Sequence, residues 1–319
     1  MALVVHVESV LDGVILQLGD VTGDVDDRHR SECRRRTLQR SCRQERPIPE
    51  GGVRWHLWPA GNLRAVKAEE VLATLSATAY AVARAVAREE DWSLPGARPG
   101  QYRIDLAADA AALEVLVGAG FGVLSEESGV TEGDRPFLAV VDPIDGSTNA
   151  ARGLRWYATS ICVLDEQGPY AALVVNQADH SCYEAVRGRG ATRDGRPIAP
   201  TKITSLGDAV LAVSGYPSQD LGWRQLRSFG AAALELCAVA DGTLDAFAEW
   251  SPRGLGVWDY LGGMLVCTEA GATVGEAGGR DLVVRSHTER RSPVAAGTAE
   301  LLAALIAARA GSAYHRAHR

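Results

Sequence analysis

The densest chemistry in the chain lies in Val140-Val141-Asp142-Pro143-Ile144-Asp145-Gly146-Ser147-Thr148-Asn149. An apolar run delivers two carboxylates three residues apart into a turn stiffened by Pro143, and Gly146 lets backbone approach a ligand closely. Hard carboxylate oxygens in this arrangement can share one divalent cation and direct a second, and the Ile144 carbonyl between them offers another oxygen. Gly146, Ser147 and Thr148 then lead towards a helix start, where free N–H groups and hydroxyls suit a phosphate. A strand-end turn capped by Asp and Ser accounts for one such carboxylate but not for the whole string. Cations beside an anion cradle imply phosphoryl chemistry.

The string resembles the signature Asp-Pro-(Ile or Leu)-Asp-Gly-(Thr or Ser)-x-Asn of the inositol monophosphatase superfamily. Leu124-Ser125-Glu126-Glu127-Ser128 is similar to its Gly-Glu-Glu segment, with Ser125 where Gly is usual. Val257-Trp258-Asp259-Tyr260-Leu261-Gly262-Gly263 and Thr268-Glu269-Ala270-Gly271-Ala272 resemble its Trp-Asp and Glu-Ala-Gly segments. The stretch from Arg227 to Ala246 resembles the substrate-side helix and following strand, and Gly188-Arg189-Gly190-Ala191 with Asp194-Gly195 its Gly-x-Gly-Ala hairpin. Together these cover roughly Ala68 to Ala308.

The resemblance implies a magnesium-dependent phosphomonoesterase with two or three ions. Glu126, Asp142 and the Ile144 carbonyl would hold one, and Asp142, Asp145 and Asp259 another. Ser147 or Asp109 would orient the attacking water, Asp109 standing in a segment that is shorter than the family's Asp-x-x-Thr-x-x-Asp and lacks its Thr. Gly146, Ser147, Thr148, Gly230, Ala231 and Glu249 would meet the substrate. Ala231 stands where many relatives have Ser or Thr, and the span from Glu249 to Asp259 is longer than usual. An inositol phosphate is the first substrate implied; histidinol phosphate, fructose 1,6-bisphosphate and 3'-phosphoadenosine 5'-phosphate belong to the same superfamily. The resemblance further implies a homodimer and a layered α-β-α-β-α sandwich. A non-catalytic binding or regulatory protein retaining the fold is the reading from another class.

These residues need elements to position them. Val71, Leu72, Leu75, Ala79, Val82 and Val86 recur at helical spacing within 68–90, and a second helix is expected over 107–118. Short buried strands are expected over 121–124 and 137–141, each ending in carboxylates, and further strands over 158–164, 170–175 and 182–186. Arg193-Asp194-Gly195-Arg196 reads as a tight turn, and helical patterns return over 230–240, 259–270 and 299–308. Strand clusters between helical pairs predict an α/β (α+β) fold with mixed sheets and buried helices, and no GxGxxG turn supports dinucleotide binding.

With 33 Lys+Arg against 40 Asp+Glu in 319 residues, the formal charge of -7 gives no general attraction to nucleic acid or to an anionic membrane. The six cysteines lack CxxC spacing, and no window is apolar enough to span a membrane, so a reduced, cytoplasmic setting is expected. Residues 1–66 read as an extension, with a hairpin around Asp12-Gly13 and an Arg-rich segment over 28–46. Residues 67–312 read as the enzyme domain and 313–319 as a tail.

Overall fold

The computed structural model describes residues 67–89, 92, 101–217 and 220–311. The hairpin expected around Asp12-Gly13, the Arg-rich segment and the expected tail lie outside the described residues.

Helix α1 (Ala68–Arg88) buries Val71, Leu75, Ala79, Val82 and Val86 along the stripe that the spacing predicts. It packs against α2 (Arg103–Gly118). The latter starts four residues before the expected 107, because Asp105 Oδ2 accepts the Tyr102 N–H at 2.8 Å and satisfies a donor of the first turn.

Both helices lie on one face of an eight-stranded sheet. Its strands are β1 (Gly122–Ser125), β2 (Gly129–Thr131), β3 (Leu138–Asp145), β4 (Ala158–Asp165), β5 (Gly168–Asn176), β6 (Cys182–Val186), β7 (Ala191–Arg193) and β8 (Arg196–Pro197), in the order β2-β1-β3-β4-β5-β6-β7-β8. The β1–β3 pair is parallel and the others are antiparallel. Both faces are covered: Leu138 and Val140 join one core, Ala139 and Val141 another, as the two-residue period of a strand requires. The Arg193–Arg196 hairpin turns on Asp194 (φ 51°) and Gly195 (φ 74°), both left-handed, as a two-residue primed turn demands.

Strand β3 corrects one expectation. It does not end at Val141 but runs through both aspartates to Asp145. Proline is tolerated there because the register against β4 shifts between Asp142 and Asp145, and such irregularities are where a sheet accepts a residue without an N–H.

On the other face of this sheet lie α4 (Ala232–Ala240) and α5 (Val257–Ala270). The short α3 (Ser147–Ala151) follows β3. Gly262 and Gly263 bring α5 close to its neighbours: a Cβ on Gly262 would stand 2.6 Å from Ser160 Oγ, and one on Gly263 2.6 Å from Leu236 Cβ. Cys162, Cys237 and Cys267 pack in this central layer as free thiols.

A second sheet closes the layer, with β9 (Val210–Ser214), β10 (Gln225–Arg227), β11 (Ala246–Glu249), β12 (Thr273–Glu276) and β13 (Pro293–Ala296) in the order β10-β9-β11-β13-β12. Phe247 points into the central core, while Ala246 and Ala248 join the outer one under α6 (Ala299–Gly311). The described chain is thus a mixed α/β fold in five layers, helices alternating with two mixed sheets.

Candidate metal centre

Three elements of different origin converge beside β3. Asp142 lies within the strand and is buried, 2% exposed. Glu126 stands just past the end of β1, where its N–H extends the β1–β3 pairing to Val141 O (3.2 Å). Asp259 lies in the first turn of α5, where its Oδ2 accepts the Gly256 N–H at 2.7 Å. A carboxylate oxygen from each of Glu126, Asp142 and Asp259 lies within 4.8 Å of the other two. They are the one such group of three metal-capable side chains among the described residues.

The electrostatics are those of buried anions held close together. Burial, then the charges of Asp259 and Glu127, push the Glu126 carboxyl up to about 8. Burial, then Asp145, push Asp259 to about 8, although the Gly256 N–H and Arg290 oppose the rise. Asp142 is raised well above the usual carboxylate range by burial and by Glu126, Asp145 and Asp259. A divalent cation answers both needs, since it cancels the repulsion and gives the desolvated oxygens a partner. The donor set, oxygen only and without thiolate or imidazole, suits a hard ion such as magnesium.

Asp145 stands beside this group rather than in it. Its Oδ2 accepts the Ala233 N–H at 2.7 Å, joining the strand to the start of α4, while its charge still raises Asp142 and Asp259. Burial raises Asp145 itself, partly offset by that N–H. Ile144 buries its side chain in the core, and its N–H donates to Asp142 Oδ1 at 3.0 Å, fixing the rotamer of that carboxylate.

The glycine after Asp145 is required by space as well as by φ (86°). A Cβ on Gly146 would stand 3.1 Å from Gly230 O, Ala231 Cβ and Trp156 O. Gly230 and Ala231 therefore lie against the strand motif. Two side chains lock that loop. Asn149 Nδ2 donates to Trp156 O (2.8 Å) and Phe229 O (2.6 Å), and Glu235 Oε1 accepts from the N–H groups of Phe229 (2.8 Å) and Gly230 (3.1 Å). Ser147 is half-buried and Thr148 exposed on α3. Glu249, fully buried at the end of β11, accepts the Ser251 N–H at 2.5 Å, and its charge contributes to raising Asp259.

Asp109 is buried on α2 and accepts a short hydrogen bond from Ser125 Oγ. Asp105 is the α2 carboxylate whose charge raises Glu126. Sequence reasoning did not select Asp105, Asn149, Glu235 or His287 for the site. Asn149 and Glu235 lie inside stretches that resemble the family, Asp105 stands four residues before Asp109, and His287 carries no sequence signal.

The carboxylate centre, where a β-strand, a turn and a helix start meet between alternating α and β layers, is a group that could hold a metal ion. The family model of the inositol monophosphatase family matches residues 69–313, and the chain belongs to that family. A fructose-1,6-bisphosphatase/inositol-1-monophosphatase of Methanocaldococcus jannaschii is 33% identical over 206 residues, covering 62% of this chain and 80% of that one. A protein named Nus factor SuhB from Xylella fastidiosa is 31% identical over 175 residues, covering 50% and 62%. The crystal structure of extragenic suppressor protein suhB from Bartonella henselae superposes with a TM-score of 0.65 at 28% identity, covering 76% of this chain and 98% of that one.

Proposed function

We propose that this chain is a magnesium-dependent phosphomonoesterase acting on a small phosphate ester, with an inositol phosphate as the leading substrate. The observation that carries the reading is the convergence of Glu126, Asp142 and Asp259 oxygens within 4.8 Å, with Asp145 beside them. The working form is taken to be a homodimer, by family resemblance, in the reduced, cytoplasmic setting that the scattered cysteines suggest.

In this reading Glu126, Asp142 and the Ile144 carbonyl would hold one magnesium, and Asp142, Asp145 and Asp259 would hold a second. Bound there, such ions supply Lewis-acid charge to a phosphoryl group and lower the pKa of an attacking water. The chain's own residues do the rest. The burial around Asp142 keeps bulk water from weakening the field. Ser147 or Asp109 orients the water, the latter held in place by Ser125. Backbone N–H groups and hydroxyls over 146–148 receive the phosphate. Gly230, exposed, faces the alcohol portion of the ester, whereas Ala231 and Glu249 are buried and offer it little surface. No covalent intermediate is needed, because phosphoryl transfer depends mainly on positioning and charge stabilisation.

The relative named a Nus factor favours a second reading, a regulatory protein that acts without turnover. Phosphate release from inositol 1-phosphate, histidinol phosphate, fructose 1,6-bisphosphate and 3'-phosphoadenosine 5'-phosphate, with and without magnesium, separates the two. We expect magnesium-dependent release that Asp142→Asn nearly abolishes while the circular dichroism stays unchanged. Silence across the panel from folded protein would leave the regulatory reading.

A further inference from the structure

We infer that His287 is a positioning residue for the carboxylate centre: it pins the turn that carries Glu126 and so sets how tightly the centre holds a divalent cation. The inference rests on the metal-centre reading above.

The three carboxylates are not equally well fixed by their own elements. Asp142 sits in a strand, with the Ile144 N–H on one of its oxygens. Asp259 is tied to Gly256 across the first turn of α5. Glu126 belongs to the three-residue turn between β1 and β2, and its side chain is half-buried. Its N–H is bonded to Val141 O, but its carbonyl has left the sheet. The group that meets this carbonyl is His287 Nε2, at 2.9 Å. A carbonyl only accepts, so Nε2 carries the proton.

His287 is itself held firmly. Its ring packs on the Trp258 indole, centroids 4.8 Å apart and planes at 34°, and Trp258 immediately precedes Asp259. The Arg290 guanidinium stands 5.0 Å from the centre of the Trp258 ring and donates from Nη1 to the His287 carbonyl at 2.9 Å. The loop bearing both residues, between β12 and β13, is fastened to the loop before α5 by reciprocal bonds. Leu255 N–H donates to Arg291 O (2.8 Å), and Arg291 N–H to Leu255 O (3.0 Å). The span from Glu249 to Asp259, longer than is usual, thus anchors the loop from which His287 reaches the site.

His287 therefore links the turn of Glu126 to the helix start of Asp259, two elements that share no backbone pairing. If the Glu126 peptide rotates, its carboxylate moves relative to Asp142 and Asp259. Groups that orient metal ligands without touching the metal are typically worth roughly 10–100-fold in affinity.

The test is calorimetric titration of Mn2+ into the cation-stripped full-length protein, its His287→Ala variant and its His287→Gln variant, with thermal unfolding of each in EDTA. His287→Ala is expected to weaken Mn2+ binding roughly 10–100-fold. His287→Gln, whose Nε2 amide can donate to the same carbonyl, is expected to recover most of that loss. In turnover, His287→Ala should raise the magnesium concentration needed for half-maximal rate far more than it lowers the rate at saturating magnesium. Unchanged Mn2+ affinity in His287→Ala would overturn the inference. Equal loss in both variants, accompanied by equally lowered unfolding temperatures, would overturn it too, since it would mark a merely structural residue. A wild-type protein that binds no Mn2+ removes the metal centre and this inference together. One that binds Mn2+ but releases no phosphate removes the phosphatase reading alone, and the affinity comparison still decides the role of His287.

Discussion

Asp145 Oδ2 accepts the N–H of Ala233 at 2.7 Å, so the second aspartate of the strand motif is also the anion at the start of α4. One carboxylate thus serves two elements: its charge repels Asp142 and Asp259, and its oxygen satisfies a helix N–H that has no partner within the helix. The helix packs against α5, which carries Asp259, so the cluster and the central layer are fixed together.

Asp145→Asn keeps an oxygen for Ala233 but removes a buried charge from the cluster. The cation-free variant is expected to be more stable than the parent by roughly 0.5–2 kcal/mol, the size common for single stabilising substitutions, while turnover falls by orders of magnitude. Urea unfolding in EDTA, read beside phosphate release, checks both; a destabilised variant would show that the charge on Asp145, rather than its oxygen, holds α4.

Cation binding should expel protons. With the Glu126 and Asp259 carboxyls pushed up to about 8, the cation-free fold retains protons at neutral pH that a bound cation must displace. Apparent magnesium affinity is therefore expected to rise from pH 6 to pH 8 and then level off. The same raised values favour the cation-free fold at low pH: that contribution is complete below the unfolded carboxylate range and is lost as pH climbs towards 8. Calorimetry at pH 7 in two buffers of different ionisation enthalpy measures the release, and heats that do not depend on the buffer would contradict it.

Gly263→Ala sets helix propensity against packing. Alanine within an exposed helix gains about 1 kcal/mol over glycine. Here the new methyl would stand 2.6 Å from Leu236 Cβ and 2.9 Å from Ala233 O, so α4 and α5 must separate. We expect a net loss of roughly 1–3 kcal/mol by urea unfolding. Turnover should fall as well, because the displaced Ala233 is the residue that holds Asp145.

The helices legible in the sequence were those with a long apolar stripe. Val71 to Val86 announced α1 to within two residues of its end, and Cys182–Val186 was read to the residue. Strands β9, β10, β12 and β13 were not read. Val210–Ser214 and Pro293–Ala296 are short apolar runs in which helix and strand periodicity cannot be told apart, and partners distant in sequence decide between them. At the site, the strand motif and its resemblance led to Asp142, Asp145, Glu126 and Asp259, because strand ends and helix starts leave marks in local residue types.

The sequence by itself determined the donor chemistry: hard oxygens in the strand motif, glycine where backbone must come close, and no thiol or imidazole motif beside them. Only the tertiary structure decided which oxygens meet. It gathered Glu126, Asp142 and Asp259 into one group, turned Asp145 towards Ala233, bonded Asp109 to Ser125, and brought His287 across 161 positions to the carbonyl of Glu126. The physical reason is range. Residue type and local spacing fix what a side chain can bind, whereas partners far apart in sequence are chosen by the packing of whole layers, which no local pattern encodes.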